Sequence, residues 1–234
     1  KPCFLMKTRE LKVMIMSDQD ISSNANTRML KTYQEARLQN TENLRKLVVD
    51  AAATLLHEEG PEAVTVRKVA NKMDCSTKII YSLFVNKEGL AQQLYLDGCK
   101  LLANEFEATP QAADPVQHMM NLGETYWQFG QRYSSYYKLM FGGAFADFKP
   151  DEESVHGTVT AMRQLMTVIN NAQEQGLIPD QYDTESIVRI VWASLHGVIH
   201  LYHGGHLGDV QSAHAVYRQT LSLLVSSLMP EQIT

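Results

Sequence analysis

The stretch TVRKVANKMDCSTKIIYSLFVNKEGL, residues 65–90, contains three helix-start signals close together. Thr65, Ser76 and Asn86 are residue types that cap the N-termini of helices, and apolar residues at helical spacing follow the first two. A helix that begins at Ser76 ends after about two turns, which is too short to be stable alone in water. We therefore predict that this short helix is held in place by neighbouring helices.

The residues before this stretch complete a helix-turn-helix. A helix predicted from Thr41 stops at Gly60 and Pro61, and a second, Val66 to Lys72, is joined to the short helix by a tight turn. We expect the buried face of this unit to contain Leu47, Ala51, Val69, Ile80, Leu83 and Phe84.

The opposite face of the short helix is predicted to point outward. It carries Thr77, Lys78, Ile79 and Tyr81. Small polar and basic residues at the first turns of such a helix fit the major groove of DNA, where side chains reach base edges and backbone N–H groups meet phosphates.

Residues 41–90 resemble the DNA-binding domain of the TetR family of transcriptional regulators. The resemblance depends on a Ser-x-x-x-x-Tyr-x-x-Phe-x-x-Lys-Glu-x-Leu pattern, which here runs from Ser76 to Leu90, together with the matching helix breaks before it. Further along, VWASLHGVIHLY resembles a Trp-His-Gly signature in the C-terminal domain of one subgroup; it contains Trp192, His196 and Gly197.

The resemblance implies a role for several polar residues of this domain. Tyr81 and Lys87 are implied as phosphate contacts, although Tyr81 could instead be a core tyrosine and Lys87 a solvated lysine. Thr65 and Ser76 could combine capping with a phosphate contact, and Arg67 belongs either to this set or to a solvated face.

Two positions depart from the family pattern. Met73-Asp74-Cys75 stands where Ala-Gly-Val is usual, and we expect Asp74 to adopt the left-handed conformation that glycine would supply. Lys78 stands where glycine is frequent, and its cation could reach a phosphate or a guanine.

The rest of the chain is predicted to be helical, so the fold class is all-α, with a three-helix DNA-binding domain and a larger helical bundle. We place a flexible extension at residues 1–40, the DNA-binding domain at 41–90, and an effector-binding and dimerisation domain at 91–234. Residues 1–15 lack an initial Met, and Met16 looks like a natural start, so we expect the first fifteen residues not to be native. The predicted helices after residue 90 are 90–107, 115–129, 133–145, 152–175, 184–203 and 210–228.

Nine of the aromatic residues fall between residues 126 and 148. Tyr126, Phe129, Tyr133 and Tyr137 follow helical spacing, which is typical of core packing. The resemblance implies that the corresponding helices surround an effector site, and we expect some of these four residues, with Trp192, His196 and His200, to line it.

Three histidines form one helical stripe. His196, His200 and His203 are spaced i, i+4 and i+7, a spacing that could hold zinc. However, Arg189 on the same stripe would repel a cation, and Glu185 is about 16 Å from His196 by helical rise. We therefore predict no metal site and no cofactor, and assign the stripe to a ligand pocket or a subunit interface.

Composition narrows the possible functions. Residues 1–90 carry fourteen basic and eleven acidic side chains, whereas residues 91–234 carry seven and fifteen, as expected for a polyanion-facing module on an acidic body. Three widely spaced cysteines favour a reducing, cytoplasmic location, and no apolar run is long enough to cross a membrane. The sequence contains no GxSxG, HExxH or Gly-rich phosphate loop, so we predict that the protein is not an enzyme.

Together these observations predict a homodimeric DNA-binding regulator, and the resemblance favours a repressor that binds a palindromic operator and responds to a small-molecule effector. The alternative is a helical protein-interaction or ligand-binding module that does not bind DNA. This alternative would account for the helices but not for the spacing pattern between Ser76 and Leu90.

Overall fold

The computed structural model describes the backbone of residues 7–142 and 149–229, and side chains from residue 31 onward within these ranges. Over these residues the protein contains α-helices, one 3-10 turn and no strand, which confirms the all-α prediction. The helices are α1 (Lys7–Glu59), α2 (Val66–Lys72), α3 (Thr77–Phe84), α4 (Lys87–Glu107), α5 (Pro115–Arg132), α6 (Ser134–Phe141), α7 (Glu152–Ala161), α8 (Arg163–Glu174), α9 (Thr184–His203) and α10 (Val210–Leu228). The chain divides into two compact units, one ending at Val48 and the other beginning at Val49.

The N-terminal unit is helical earlier in the chain than the sequence predicted, and the flexibility expected for residues 1–40 stays a prediction. Helix α1 begins at Lys7 rather than at Thr41, and it contains neither glycine nor proline over its whole length, so no residue type interrupts the hydrogen-bond ladder. The Thr41 hydroxyl does not cap a helix; it donates to the Arg37 carbonyl at 2.9 Å, one turn earlier. The prediction that residues 1–15 are not native stays a prediction, because residues 1–6 lie outside the described residues and no side chain before residue 31 is described.

The three-helix arrangement at the start of the second unit agrees with the sequence prediction. Helix α2 has the predicted bounds, and α3 packs against both α2 and α4. Asp74 has a φ of 50°, which confirms the left-handed turn between α2 and α3, and the Cys75 N–H donates to the Ala70 carbonyl at 2.9 Å to close it.

The buried face of this domain differs from the prediction at two positions of α1. Ile80, Leu83, Phe84 and Val69 are buried as expected, whereas Leu47 is 57% exposed and Ala51 is only half-buried. The buried residues of α1 are instead Val48, Val49, Ala52, Leu55 and Leu56. The apolar stripe of α1 is therefore turned about one residue further along the helix than the sequence reading placed it.

The remaining helices form a bundle in which α4 packs along α7, α5 lies against α8 and α10, and α9 is paired with α10. Helices α9 and α10 have the predicted bounds. The single helix predicted over residues 152–175 is two helices, because the backbone turns at Met162 (φ −82°, ψ 2°). This turn lets α7 follow α4 while α8 packs against α5 and α9. The helix predicted over 133–145 runs from Ser134 to Phe141, with Gly142 at its C-cap, so it ends earlier than predicted. Residues 143–148 lie outside the described residues.

Candidate DNA-binding surface and effector cavity

Helix α3 separates its buried and exposed residues sharply. Ile80, Leu83 and Phe84 are buried and hold the helix against the domain. Thr77, Lys78 and Tyr81 are exposed, and half of the Tyr81 side chain is accessible. Ile79 is only half-buried. The outward face predicted from the sequence is therefore present, with polar side chains at the N-terminal end of the helix.

Two of the three predicted caps are made by side chains. The Thr65 hydroxyl accepts from the Lys68 N–H at 3.2 Å, and the Asn86 side chain accepts from the Gly89 N–H at 2.9 Å. Ser76 occupies the N-cap position of α3, as predicted. Its side chain makes no capping hydrogen bond, so the prediction that it caps the helix in this way is wrong. The Ser76 side chain is exposed at the same end of α3 as Thr77.

Several basic side chains lie on this domain, and the two lysines of α2 form ion pairs. Lys68 pairs with Glu59 at 2.6 Å and Lys72 with Glu58 at 2.9 Å, which connects α2 to the end of α1. Arg67, Lys78 and Lys87 are exposed. Because exposed pairs contribute only about 0–1 kcal/mol, the pairs orient lysines more than they stabilise the fold.

The junction between α3 and α4 is strained. Val85 is β-branched yet has a φ of 63° and a ψ of −50°, and the Asn86 N–H donates to the Phe84 carbonyl at 2.6 Å in a three-residue turn. A residue held in such a conformation costs on the order of 1–3 kcal/mol. Gly89 is required close by, because a Cβ there would overlap the Phe84 carbonyl oxygen.

An apolar cavity lies between α5, α8, α9 and α10. The space in it that the centre of a water-sized sphere can reach is only about 30 Å³, so its walls nearly fill it in this conformation. Only two of its lining side chains carry polar atoms, namely Tyr126 and Trp192, and the Trp192 Nε1–H donates to the Tyr126 hydroxyl at 3.0 Å. The other lining residues are Phe106, Met119, Leu122, Gly123, Met162, Leu165, Ile169, Val191, Leu195, Leu221, Val225 and Leu228. This lining has the chemistry that suits the apolar part of a small molecule, which would have to displace side chains to enter.

A hydrogen-bonded cluster lies beside this cavity. The Tyr137 hydroxyl is 2.6 Å from Nδ1 of His196, and the Tyr126 hydroxyl is 3.5 Å from the same nitrogen. Burial lowers the pKa of His196 to about 4, and burial raises the pKa of Tyr126 and of Tyr137 well above the usual tyrosine range. The cluster is therefore neutral near pH 7.

The structure brings together only part of the predicted effector set. Tyr126 and Trp192 line the cavity, and Tyr137 and His196 lie behind Tyr126. Phe129 is fully buried, the Tyr133 hydroxyl donates to Glu105 at 3.0 Å, and His200 is exposed. The two apolar pockets described for this bundle are not lined by Phe129, Tyr133, Tyr137, His196 or His200. Contact between these residues and an effector therefore stays a prediction.

The three histidines of α9 have different surroundings. His196 bonds to Tyr137, His203 Nε2 lies 3.2 Å from the Gly130 carbonyl, and His200 is exposed. Among the side chains described, no group of three or more His, Cys, Asp or Glu residues could hold a metal ion. Within the same residues, no helix is long and apolar enough to cross a membrane.

A second opening, the α7–α9 cleft, lies on the other side of Trp192 and was not expected from the sequence. The centre of a water-sized sphere can reach about 360 Å³ of it, and α4, α6, α7, α8 and α9 contribute to it. Trp192 and Met162 line both the cleft and the cavity. Met162 could not be singled out from the sequence, because apolar residues at helical spacing look the same in a core and in a cavity wall.

Comparison with known families agrees with this arrangement. Residues 48–94 match the model described as bacterial regulatory proteins, tetR family, and residues 119–224 match the one described as tetracyclin repressor-like, C-terminal domain. The two matches together cover more than half of the chain. The protein belongs to the TetR family. TetR family proteins are DNA-binding transcriptional regulators, so α2 and α3 are its helix-turn-helix, and Trp192, His196 and Gly197 fall within the matched C-terminal domain.

Solved structures share the TetR fold with this chain. A protein of unknown function from Rhodococcus sp. RHA1 is 20% identical with a TM-score of 0.67, covering 80% of this chain and 96% of that one. PfmR from Thermus thermophilus, a TetR family transcriptional regulator, is 21% identical with a TM-score of 0.58, over 78% and 99%. Thermus thermophilus FadR, solved with lauroyl-CoA, is 18% identical with a TM-score of 0.63, over 80% and 96%. A search among curated proteins gives no significant match.

Proposed function

We propose that this TetR family regulator is a repressor that binds a palindromic operator as a homodimer and leaves it when a small apolar molecule occupies the C-terminal domain. The observation that carries the proposal is the division of α3 into a buried face and an exposed polar face that ends at Ser76. A helix anchored in this way can enter the major groove without disturbing the core.

The DNA contacts follow from the exposed face. Thr77, Lys78 and Ile79 would face base edges. The phosphate contacts would come from Tyr81, Lys87, Thr65, Ser76 and Arg67. Such contacts set the register of the protein on the duplex and give a DNA affinity that depends on salt. Two copies of α3 about 34 Å apart would read successive major grooves on one side of the duplex.

Dimerisation is supported by an exposed stripe on α9. Ile190, Ser194, Gly197 and Leu201 recur at i, i+4, i+7 and i+11, so they lie on one side of the helix. Ile190 and Leu201 are exposed although they are large and apolar, and a Cβ on Gly197 would meet no atom within 4 Å. On the adjacent α10, Leu223 is 65% exposed. A second copy of the chain would bury these residues.

The effector site is supported by the apolar cavity. Its walls are almost wholly hydrocarbon, as suits an acyl or aryl group, and the related FadR structure contains lauroyl-CoA. Binding that favours one separation of the two DNA-binding domains by a few kcal/mol is sufficient to empty an operator. We expect no catalytic activity and a cytoplasmic location.

The proposal is tested by selecting duplexes from a random library and then adding compounds to the complex. We expect enrichment of an inverted repeat, a dimer on each duplex by sedimentation, and loss of the complex with some apolar compounds. Enrichment of no sequence, or a single subunit on each duplex, would contradict the proposal. DNA binding that no compound changes would contradict only its ligand-responsive part.

A further inference from the structure

The turn between α3 and α4 presents an apolar side chain to solvent. Val85 is 82% exposed, more than any other large apolar side chain that the structure describes. The two residues before it, Leu83 and Phe84, are buried and belong to the core of the domain. The apolar character of Val85 therefore does not serve this core, and its methyl groups are accessible to a partner.

The backbone conformation of Val85 distinguishes it from an ordinary exposed valine. Its φ of 63° and ψ of −50° lie in the region of the rare γ-turn, which a β-branched side chain disfavours and which glycine adopts at lower cost. Residues held in such conformations are concentrated at binding sites and switch regions, where the strain is part of the function. Because the subunit covers little of Val85, contacts within the subunit do not explain why a valine occupies this turn.

Hydrogen bonds on both sides of Val85 fix the direction of the turn. The Val85 N–H donates to the Tyr81 carbonyl at 3.0 Å, and the Asn86 N–H donates to the Phe84 carbonyl at 2.6 Å. The Asn86 side chain accepts from the Gly89 N–H at 2.9 Å, which fixes the start of α4. A valine on such a backbone has few rotamers to lose, so it would bind a partner at a small cost in conformational entropy.

The residues on either side of Val85 in the chain are proposed phosphate contacts. Tyr81 stands four residues earlier and is half exposed, and Lys87 stands two residues later as the exposed first residue of α4. Phosphate and deoxyribose alternate along a DNA strand, and proteins contact both when they bind the backbone. An apolar side chain between two phosphate contacts is therefore placed to meet the carbon atoms of a sugar.

We propose that Val85 is a further DNA contact, which packs its methyl groups on a deoxyribose of the strand held by Tyr81 and Lys87, and that the strained turn serves to position it. This inference deepens the proposed function and rests on it, because it adds an apolar contact to the same surface. The contact carries no sequence information. Burial of methyl groups releases no counterions, so its contribution to affinity does not depend on salt as that of a phosphate contact does.

Val85→Gly separates stability from binding in the full-length protein. Glycine relieves the strain of the turn, so the midpoint of urea unfolding should rise. Loss of the methyl groups should weaken binding to a labelled mixed-sequence duplex by about threefold or more, with an unchanged slope of log affinity against log salt concentration. A purely structural role would move stability and affinity in the same direction. An unchanged or lower midpoint, or an unchanged affinity, would overturn the proposal.

Glycine also makes the turn more flexible, so a pair of charged variants locates the side chain directly. Val85→Lys should strengthen duplex binding and steepen the slope of log affinity against log salt concentration by about one unit for each subunit, and Val85→Glu should weaken binding. Val155→Lys and Val155→Glu are the matched controls at an exposed valine of α7, outside the DNA-binding domain. Equal effects at the two positions would reflect net charge alone and overturn the assignment.

The mixed-sequence duplex keeps this test separate from the test of the operator, because backbone contacts do not require a particular sequence. If the unmodified chain binds this duplex and the Val85 variants bind it equally well, the sugar contact is overturned and the DNA-binding function stands. If the Val85 variants behave as expected but the random library yields no inverted repeat, the contact is supported and recognition of a palindromic operator is contradicted.

Discussion

The Tyr137 hydroxyl and Nδ1 of His196 are 2.6 Å apart, in a cluster that also holds Tyr126 and Trp192. Burial keeps His196 neutral, and with its proton assigned to Nε2, the Tyr137 O–H donates to Nδ1. The contact joins α6 to α9 next to the apolar cavity. It makes the stability of the bundle dependent on the protonation of one histidine.

Acidification should therefore destabilise the protein through His196. Its folded pKa of about 4 lies below the ordinary 6.5, so between these values the unfolded chain binds the additional proton and stability is lost as the pH falls. His196→Gln, which retains an acceptor for Tyr137, should reduce this loss. The measurement is urea unfolding at about pH 7 and about pH 5, with His57→Gln as the exposed control. If His196→Gln lost as much free energy of unfolding between these two pH values as the unmodified chain does, the prediction would be contradicted.

Tyr81→Phe should weaken DNA binding by about tenfold or more, because a phosphate contact would lose the hydrogen bond of an exposed hydroxyl. The loss should be similar for all duplex sequences, since phosphates carry no sequence information. Anisotropy titrations with specific and random duplexes measure it. Tyr182→Phe, which alters an exposed tyrosine outside this domain, should have no effect. If Tyr81→Phe bound DNA with wild-type affinity, the Tyr81 hydroxyl would make no phosphate contact.

Lys78→Ala distinguishes two roles for the exposed cation at the start of α3. If Lys78 contacts a phosphate, the slope of log affinity against log salt concentration should become shallower by about one unit for each subunit, with sequence specificity retained. A base contact predicts relaxed preference at one operator position with a smaller change of slope. Titrations at several salt concentrations on matched and substituted duplexes separate the two. If neither quantity changes, Lys78 does not contact DNA.

Leu223→Asp should dissociate the proposed dimer, because it places a carboxylate in the apolar surface formed by α9 and α10. We expect dimerisation to weaken by about 100-fold or more, measured by sedimentation equilibrium. The helical content should not change, since Leu223 is exposed within one subunit. Leu38→Asp is the matched control at an exposed leucine of α1, outside these two helices. A dimer of normal affinity in Leu223→Asp would exclude this surface.

Gly123→Ala should destabilise the bundle, because a Cβ at this position would lie 2.5 Å from the Leu221 side chain. Overpacking of this kind costs about 1–3 kcal/mol, against a gain of about 1 kcal/mol in helix propensity. Urea unfolding of a double-mutant cycle checks the cause. In a Leu221→Ala background the same change should no longer destabilise, and an equal loss in both backgrounds would locate the strain elsewhere.

The DNA-binding domain could be predicted from the sequence because its signals are local. Thr65 and Asn86 cap helices, and Asp74 accepts the left-handed turn, whatever the rest of the chain does. The turn at Met162 could not be predicted, because neither glycine nor proline marks it and the packing of α7 on α4 decides it. The cavity walls were missed for a related reason, since an apolar side chain gives the same pattern whether it touches another residue or an empty space.

Helix α3 keeps its anchoring side chains and its outward side chains on opposite sides. With the base contacts proposed for Thr77 and Lys78, substitutions there would alter which DNA sequence is chosen at little cost to folding, whereas changes at the buried Ile80 or Phe84 would disturb the core. Over evolutionary time, a gene copy encoding this protein could acquire new target promoters through a few outward replacements while its scaffold stayed intact.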